Sequence, residues 1–436
     1  STSAILLGER TRLIHAARHF RLNARHPMTN PPPSPAVPRL LALDALRGGT
    51  MLAMVLVNTP GTWSHVYPPL RHADWHGCTP TDLIFPFFLF AVGAAMAFSL
   101  ARAITPRSPA DRRGLWPRIF RRAGMLIALG LLLAVATPIL NTLLRGDTSG
   151  FATIRLPGVL QRIALCYVLA CAAVLFLRVR GQVIISALVL IVYWALLVLV
   201  PIPVVPPTPA GAVVVADALR PGLGNADNWQ RFIDLLVFGQ RHLYSGNPTD
   251  PEGLLSTFPA VVTVLAGYWT GMFIRTQRPL NGESAMVLAL VGVLAMLCGL
   301  VLHAFIPMNK PLWTPSYVVF TAGCAIVALT LCLLVCDLRR VWPIARPLEI
   351  CGLNAILLFV GSGLVARVLG AIRFEQPTDN APNRVASLQV WLFENLAMPL
   401  SGGVPINASL IYALANCVIW LLVLWLLARK GWYWKV

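Results

Sequence analysis

The chain has 436 residues, of which 57% are hydrophobic and only 12% charged, with a formal net charge of +18. Soluble globular chains carry about a quarter charged residues, so this composition, with a mean hydropathy of +0.70, excludes a soluble domain. The basic residues sit in short segments beside apolar runs rather than in an aromatic-interleaved basic domain, which argues against a nucleic-acid partner.

Stretches of about 20 apolar residues can cross a hydrocarbon core of about 30 Å. Ten are predicted, near 43–60, 81–101, 121–141, 157–177, 182–202, 254–274, 284–306, 315–337, 348–371 and 405–428. The expectation is an all-α polytopic membrane protein of about ten transmembrane helices. Basic clusters at Arg10 to Arg47, Arg102 to Arg122, Arg178 and Arg180, Arg275 and Arg278, Arg339 to Arg346, and Arg429 to Lys435 fall on alternate ends of these spans. Lys and Arg are enriched on the cytoplasmic side, so both termini are predicted to be cytoplasmic. Residues 1–38 read as a basic, disordered tail without a cleavable signal peptide, and 39–436 as a single transmembrane domain. The outer loops are then about 61–80, 203–253 and 372–404, the second opening with the extended, Pro-rich "PIPVVPPTP".

In chain order, the first span opens with Asp44 and Arg47, spaced to pair on one helix face. They form either an anchor at the inner surface or a receiver for an anion. The loop "GTWSHVYPPLRHADWHGCTP" follows Asn58 and carries His65, His72 and His76. His72 and His76 are four apart, but Gly77 and the absence of a third ligand argue against a metal site. One imidazole acting as a general base is the simpler use. Asp82, with Thr79 and Pro80, is placed to cap the second span, and Pro86 is expected to kink it. Arg162 lies about 7–8 Å into the fourth span at 1.5 Å per residue. It either snorkels outward or meets an anion. Asp250 and Glu252 stand at the outer mouth of the sixth span, as sugar ligands or as helix-start acids. Lys310, in a short outer turn, is expected to pair with one of them. The cysteines other than Cys78 fall in or beside apolar runs and read as packing.

Seven motifs occur in one order: "LDALRG", "VN", "RHADWHGCTPTDLIFPFFLFAVG", "LPGVLQR", "DPEGLLSTFPAVVTVLAGYWTG", "NKPLWTPSYV" and "GLNAI". Together they resemble the heparan-α-glucosaminide N-acetyltransferase family, most closely its bacterial inner-membrane members. The resemblance runs from about Arg39 onward. It implies an acetyltransferase that uses acetyl-CoA from the cytoplasm and acetylates a glucosamine amine on the far, periplasmic side. It also implies a homodimer embedded in membrane lipid. "RHADWHG" resembles the family's catalytic "KHASWNG", which makes His72 the catalytic histidine, and Asn58 in "LVNTPG" matches the family's active-site asparagine. Here His76 stands where the lysosomal members have Asn, and a small amino sugar is the expected acceptor.

On this reading His72 acts as general base or transient acetyl carrier, and Asn58 orients it or stabilises an oxyanion. Trp75, Asp250, Glu252 and Lys310 are candidates for the sugar. Arg47, Arg121, Arg122, Arg162 and Arg275 are candidates for the CoA phosphates, by charge and bidentate geometry. A tunnel through the bundle is expected to bring the thioester to His72. The rival readings are a membrane O-acyltransferase and an amino-sugar transporter.

Overall fold

The computed structural model describes residues 40–100, 114–203, 222–277, 279–376 and 384–434. The expected N-terminal tail, the basic stretch Arg102 to Arg113, the Pro-rich stretch from residue 204 onward, Arg278 and Lys435 lie outside them. The long helices are α1 (Leu41–Asn58), α2 (Ile84–Ser99, entered through a 3₁₀ turn at Pro80–Leu83), α3 (Trp116–Arg145), α4 (Val159–Phe176) and α5 (Val179–Leu199). A short outer helix, α6 (Trp229–Phe238), precedes α7 (Thr257–Thr276), α8 (Gly282–Phe305) and α9 (Pro315–Cys332, extended by a π-helical turn to Leu338). The last are α10 (Trp342–Leu353), α11 (Ala355–Ala371) and α12 (Pro405–Arg429). Among the described residues nine helices are long and apolar enough to cross a membrane, and α10 with α11 makes a tenth, broken span. The polytopic all-α architecture is therefore as expected.

Burial explains the arrangement. Helices α1, α2 and α7 lie at the centre, whereas α5, α8 and α12 turn most of their Leu, Ile and Val outward, as lipid-facing spans do. Close approach in a membrane needs small residues, because lipid removes the hydrophobic drive between helices. Gly267 and Gly271 of α7 supply it by meeting the α2 backbone at Phe90 and Ala94. A second backbone contact joins α1 to α10. A Cβ on Gly48 would overlap the Leu348 carbonyl, and one on Gly352 would overlap that of Asp44.

Pro86 is the third residue of α2, after the 3₁₀ turn, and the carbonyl of Asp82, four residues before it, accepts the Tyr317 hydroxyl at 2.6 Å. One local expectation is corrected. The ninth span is not one continuous helix. Its axis bends by 73° at Asn354, whose backbone (φ −116°, ψ 29°) leaves the helical region. The buried Asn354 side chain accepts the Trp434 N–H at 2.9 Å. The third outer loop carries a two-stranded antiparallel hairpin, β1 (Arg373–Glu375) and β2 (Val385–Ser387), and short helical segments.

The α1–α10 contact yields a first prediction. Gly48→Ala should lower stability by about 1–3 kcal/mol through overpacking, read as a lower melting temperature in detergent. An unchanged melting temperature would contradict the backbone-to-backbone packing.

Candidate active site

The loop after α1 is tied down at several points. Gly77 donates its N–H to the Met308 carbonyl (2.8 Å). Asn309 donates its side-chain amide to the Trp75 carbonyl (3.0 Å) and accepts the Leu312 N–H (2.8 Å). The Tyr317 hydroxyl donates to the Asp82 backbone carbonyl at 2.6 Å. These bonds lock the histidine loop to the turn that enters α9. Trp313, fully buried in that turn, adopts φ +53°, a left-handed conformation a bulky residue takes only when its surroundings impose it.

The result is a compact ionisable cluster. His72 Nδ1 lies 2.7 Å from Asp82 Oδ1. Asp82 Oδ2 accepts the backbone N–H groups of Ala73 and Thr79 and the Thr79 hydroxyl, at 3.0–3.1 Å. So many donors make Asp82 an ionised acceptor, which favours the His72 tautomer with its proton on Nδ1 and leaves Nε2 as an acceptor. Asp82 caps the second span as expected, and it also holds His72, which its sequence position did not reveal. Lys310 Nζ stands 3.1 Å from His72 Nδ1, 3.4 Å from Nε2 and 3.6 Å from Asp82 Oδ1. Burial pulls the Lys310 ammonium below its usual range, against the opposing pull of Asp82 and Glu252. The expected pairing of Lys310 with Asp250 or Glu252 is replaced by this one.

His72, Asp82 and Lys310 line a cavity of about 870 Å³. From α1 it takes Met51, Met54, Val55 and Asn58, the i, i+3, i+4, i+7 face of one helix. From α11 it takes Phe359, Ser362, Gly363, Ala366 and Arg367. Met51 lies about 10 Å below Asn58, and Phe359 about 18 Å below the end of α11. The cavity thus runs from loop residues such as Trp63, His72, Tyr244 and Lys310 to an apolar floor on α1 and α11. A much smaller void beyond the floor reaches Ala355 and Ile356.

Of the expected sugar ligands, Glu252, Lys310 and Trp75 line this cavity and Asp250 does not. Asp250 is fully buried and accepts from Arg155 Nε (3.0 Å) and from the Tyr244 and Glu252 N–H groups (2.8 and 2.9 Å). Arg155 also pairs with Glu252. Burial raises the Glu252 carboxyl, but Arg155, Arg162 and Lys310 outweigh it and hold the group below its usual range. Trp75 is buried, with its indole N–H on the Leu223 carbonyl at 2.7 Å. Asn58 lines the cavity; among the described residues no hydrogen bond joins it to His72, whose orienting partner is Asp82.

None of the five arginines assigned to phosphate lines the cavity. Arg162 is buried, bonded to the Gly253 carbonyl (2.8 Å) and the Ser256 hydroxyl, and stacked over Trp313. Arg275 donates to the Ala97 carbonyl at 2.9 Å, Arg122 lies over the Tyr167 ring, Arg121 is exposed, and Arg47 stands 3.8 Å from Asp44. Sequence reasoning missed Arg155, Arg367, Trp63 and Tyr244 as lining residues. An unpaired arginine between two spans was the available signal for Arg155.

An all-α membrane protein with an oriented imidazole, a carboxylate and a lysine lining one cavity has the equipment of an integral-membrane acid–base enzyme. The family model described as heparan-alpha-glucosaminide N-acetyltransferase, catalytic, matches residues 39–306, and the chain belongs to that family. Human heparan-alpha-glucosaminide N-acetyltransferase is 30% identical over 366 residues, covering 74% of this chain and 52% of the human protein. The mouse protein of the same name is 26% identical over 363 residues, 74% of this chain and 53% of its own. The chain therefore spans about half the length of these relatives. Lys310 and Arg367 lie beyond the segment the family model matches.

Asp234 in α6 provides a pH-linked prediction. It is fully buried, and burial outweighs the Leu254 N–H it accepts, so its carboxyl is pushed up from 3.8 to about 7. The folded protein then holds this proton to higher pH than the unfolded chain does. The contribution to stability is complete below pH 3.8 and lost as pH rises through about 7. Asp234→Asn should remove that part of the decline. Parallel stability–pH curves for the two proteins between pH 5 and 8 would refute it.

Proposed function

We propose that this chain transfers an acetyl group from acetyl-CoA to the amine of glucosamine or a terminal glucosaminide, on the periplasmic side of a bacterial inner membrane. The observation that carries this reading is the Asp82–His72 pair beside Lys310 in the cavity lining, in a chain of that family. Acetyl-CoA is a substrate here. The apolar floor of Met51, Met54, Leu133, Val159 and Phe359 suits its pantetheine arm.

The chemistry follows from the tautomer. The acceptor amine displaces Lys310 from His72 Nε2 and gives up a proton to it as the nitrogen attacks the thioester carbonyl carbon. The C–N bond forms, the tetrahedral oxyanion takes hydrogen bonds from Lys310 and the Asn58 amide, and the C–S bond then breaks. The leaving thiolate recovers the proton from Nε2. Asp82 holds the ring through Nδ1–H and offsets the imidazolium charge that forms in between. Holding both reactants in the cavity supplies further rate by removing the entropy of encounter, which favours direct transfer over an acetyl-histidine intermediate.

Purified protein in liposomes should convert acetyl-CoA and glucosamine to an amide product stable to mild alkali. An alkali-labile ester would mean a hydroxyl acceptor instead. His72→Ala should abolish transfer while sugar binding persists, and normal turnover by that variant would remove the assignment. Asp82→Asn should lower kcat by about 10²–10⁴-fold, because the ring then loses the partner that fixes its tautomer. Acetyl trapped on His72 by rapid quench in the absence of acceptor would replace direct transfer with two half-reactions.

A further inference from the structure

Three groups in the cavity lining take no part in the proton-handling cluster. Trp63 is 64% exposed, although an indole is a costly group to leave in water. It is not on a loose loop. The neighbouring Thr62 donates its N–H to Ser409 Oγ at 3.5 Å, Ser409 Oγ donates to the Thr62 carbonyl at 3.2 Å, and Thr62 and Ser64 hydroxyls share a bond of 2.8 Å. The ring is therefore presented from a turn anchored on the first residues of α12. Tyr244, 43% exposed, is a second ring in the lining, steadied by the Arg155 guanidinium 4.8 Å from its centroid.

The third group is Asp74. Of the carboxylates in the lining, Asp82 is engaged by His72 and Lys310, and Glu252 by Arg155. Asp74 is exposed and, among the described residues, carries no hydrogen bond or ion pair. It is two residues from His72, on the same loop. Aromatic rings lining the same cavity as one available carboxylate, with the Asn58 and Asn247 amides also in the lining, match an amino sugar in its protonated form. One face of a pyranose is C–H and packs on an aromatic ring, the hydroxyls suit amides, and the ammonium seeks an anion or a ring face.

We propose that Trp63, Tyr244 and Asp74 form the acceptor subsite, which takes one amino-sugar ring with its apolar face on the aromatic side chains and its ammonium on the Asp74 carboxylate, next to His72. This deepens the transferase reading above and rests on it for the identity of the acceptor. The carboxylate collects the cationic form of the sugar; the ammonium releases one proton to water before attack, and His72 Nε2 takes the second as the C–N bond forms.

Binding without donor separates this subsite from the transfer reaction. Saturation-transfer NMR on the full-length protein in detergent, with glucosamine and with N-acetylglucosamine, reads sugar affinity directly. Trp63→Ala should weaken both sugars. Asp74→Asn should weaken glucosamine by about three- to tenfold and leave N-acetylglucosamine unchanged, because only the former carries the ammonium. A general structural lesion would not produce that split. If the wild-type protein binds neither sugar, or if both variants bind glucosamine as the wild type does, the subsite assignment is overturned. Sugar binding with the predicted split but no acetyl transfer would uphold the subsite and sink the transferase reading instead.

Discussion

A carboxylate that is almost completely out of water has to fill its lone pairs with donors, and in this protein that requirement organises the outer end of the bundle. Asp82 is 1% exposed and accepts from His72, Ala73 and Thr79. Left unsatisfied, such a group would cost several kcal/mol or take up a proton. Filling it draws the histidine loop down onto the start of the second span. The imidazole is thus oriented as a consequence of helix capping: one side chain performs both tasks, and the proton on Nδ1 is favoured by the same bonds that begin the helix.

The opposite wall of the cluster has its own support. Lys310 is carried on a turn whose shape is dictated by the buried, left-handed Trp313. Trp313 is wedged edge-on against Phe85 and Tyr317, with Arg162 over its ring. Gln230 and Tyr193 hold the Pro311 and Leu312 carbonyls at 3.0 and 2.5 Å. An arginine placed by sequence among phosphate ligands thus lies under the lysine turn, with its guanidinium bound to Gly253 and Ser256. Arg155 does comparable work for Asp250 and Glu252: removing it would leave two acids in a poorly hydrated place without the cation that bonds both.

What the sequence disclosed follows from the range of each interaction. Transmembrane segments are set by local hydropathy, so their number and approximate ends could be read directly. The histidine in "RHADWHG" and the capping role of Asp82 were also local signals. The His72–Asp82 bond was not, because loop closure across ten residues depends on Asn309 and Tyr317, far along the chain. The same holds for Arg155, which meets Asp250 and Glu252 across more than ninety residues. The break at Asn354 was hidden for a different reason. The apolar run is continuous through it, and a bend in backbone dihedrals leaves no trace in hydropathy.

The single passage expected between the two faces is divided in this structure, and the division is localised. The cavity descends from His72 to Met51 and Phe359, and the small void below it ends at Ala355 and Ile356, immediately after the helix break. Beneath lies α10, turned 73° from α11 and joined to α1 through Gly48 and Gly352. The small void thus ends near the start of α11, on the side of the backbone contact between α10 and α1. Gly48 and Gly352 let the two backbones meet without side chains between them, and Ala45, Ala345, Leu41 and Leu348 pack beside them, so apolar burial and close backbone approach together hold this contact.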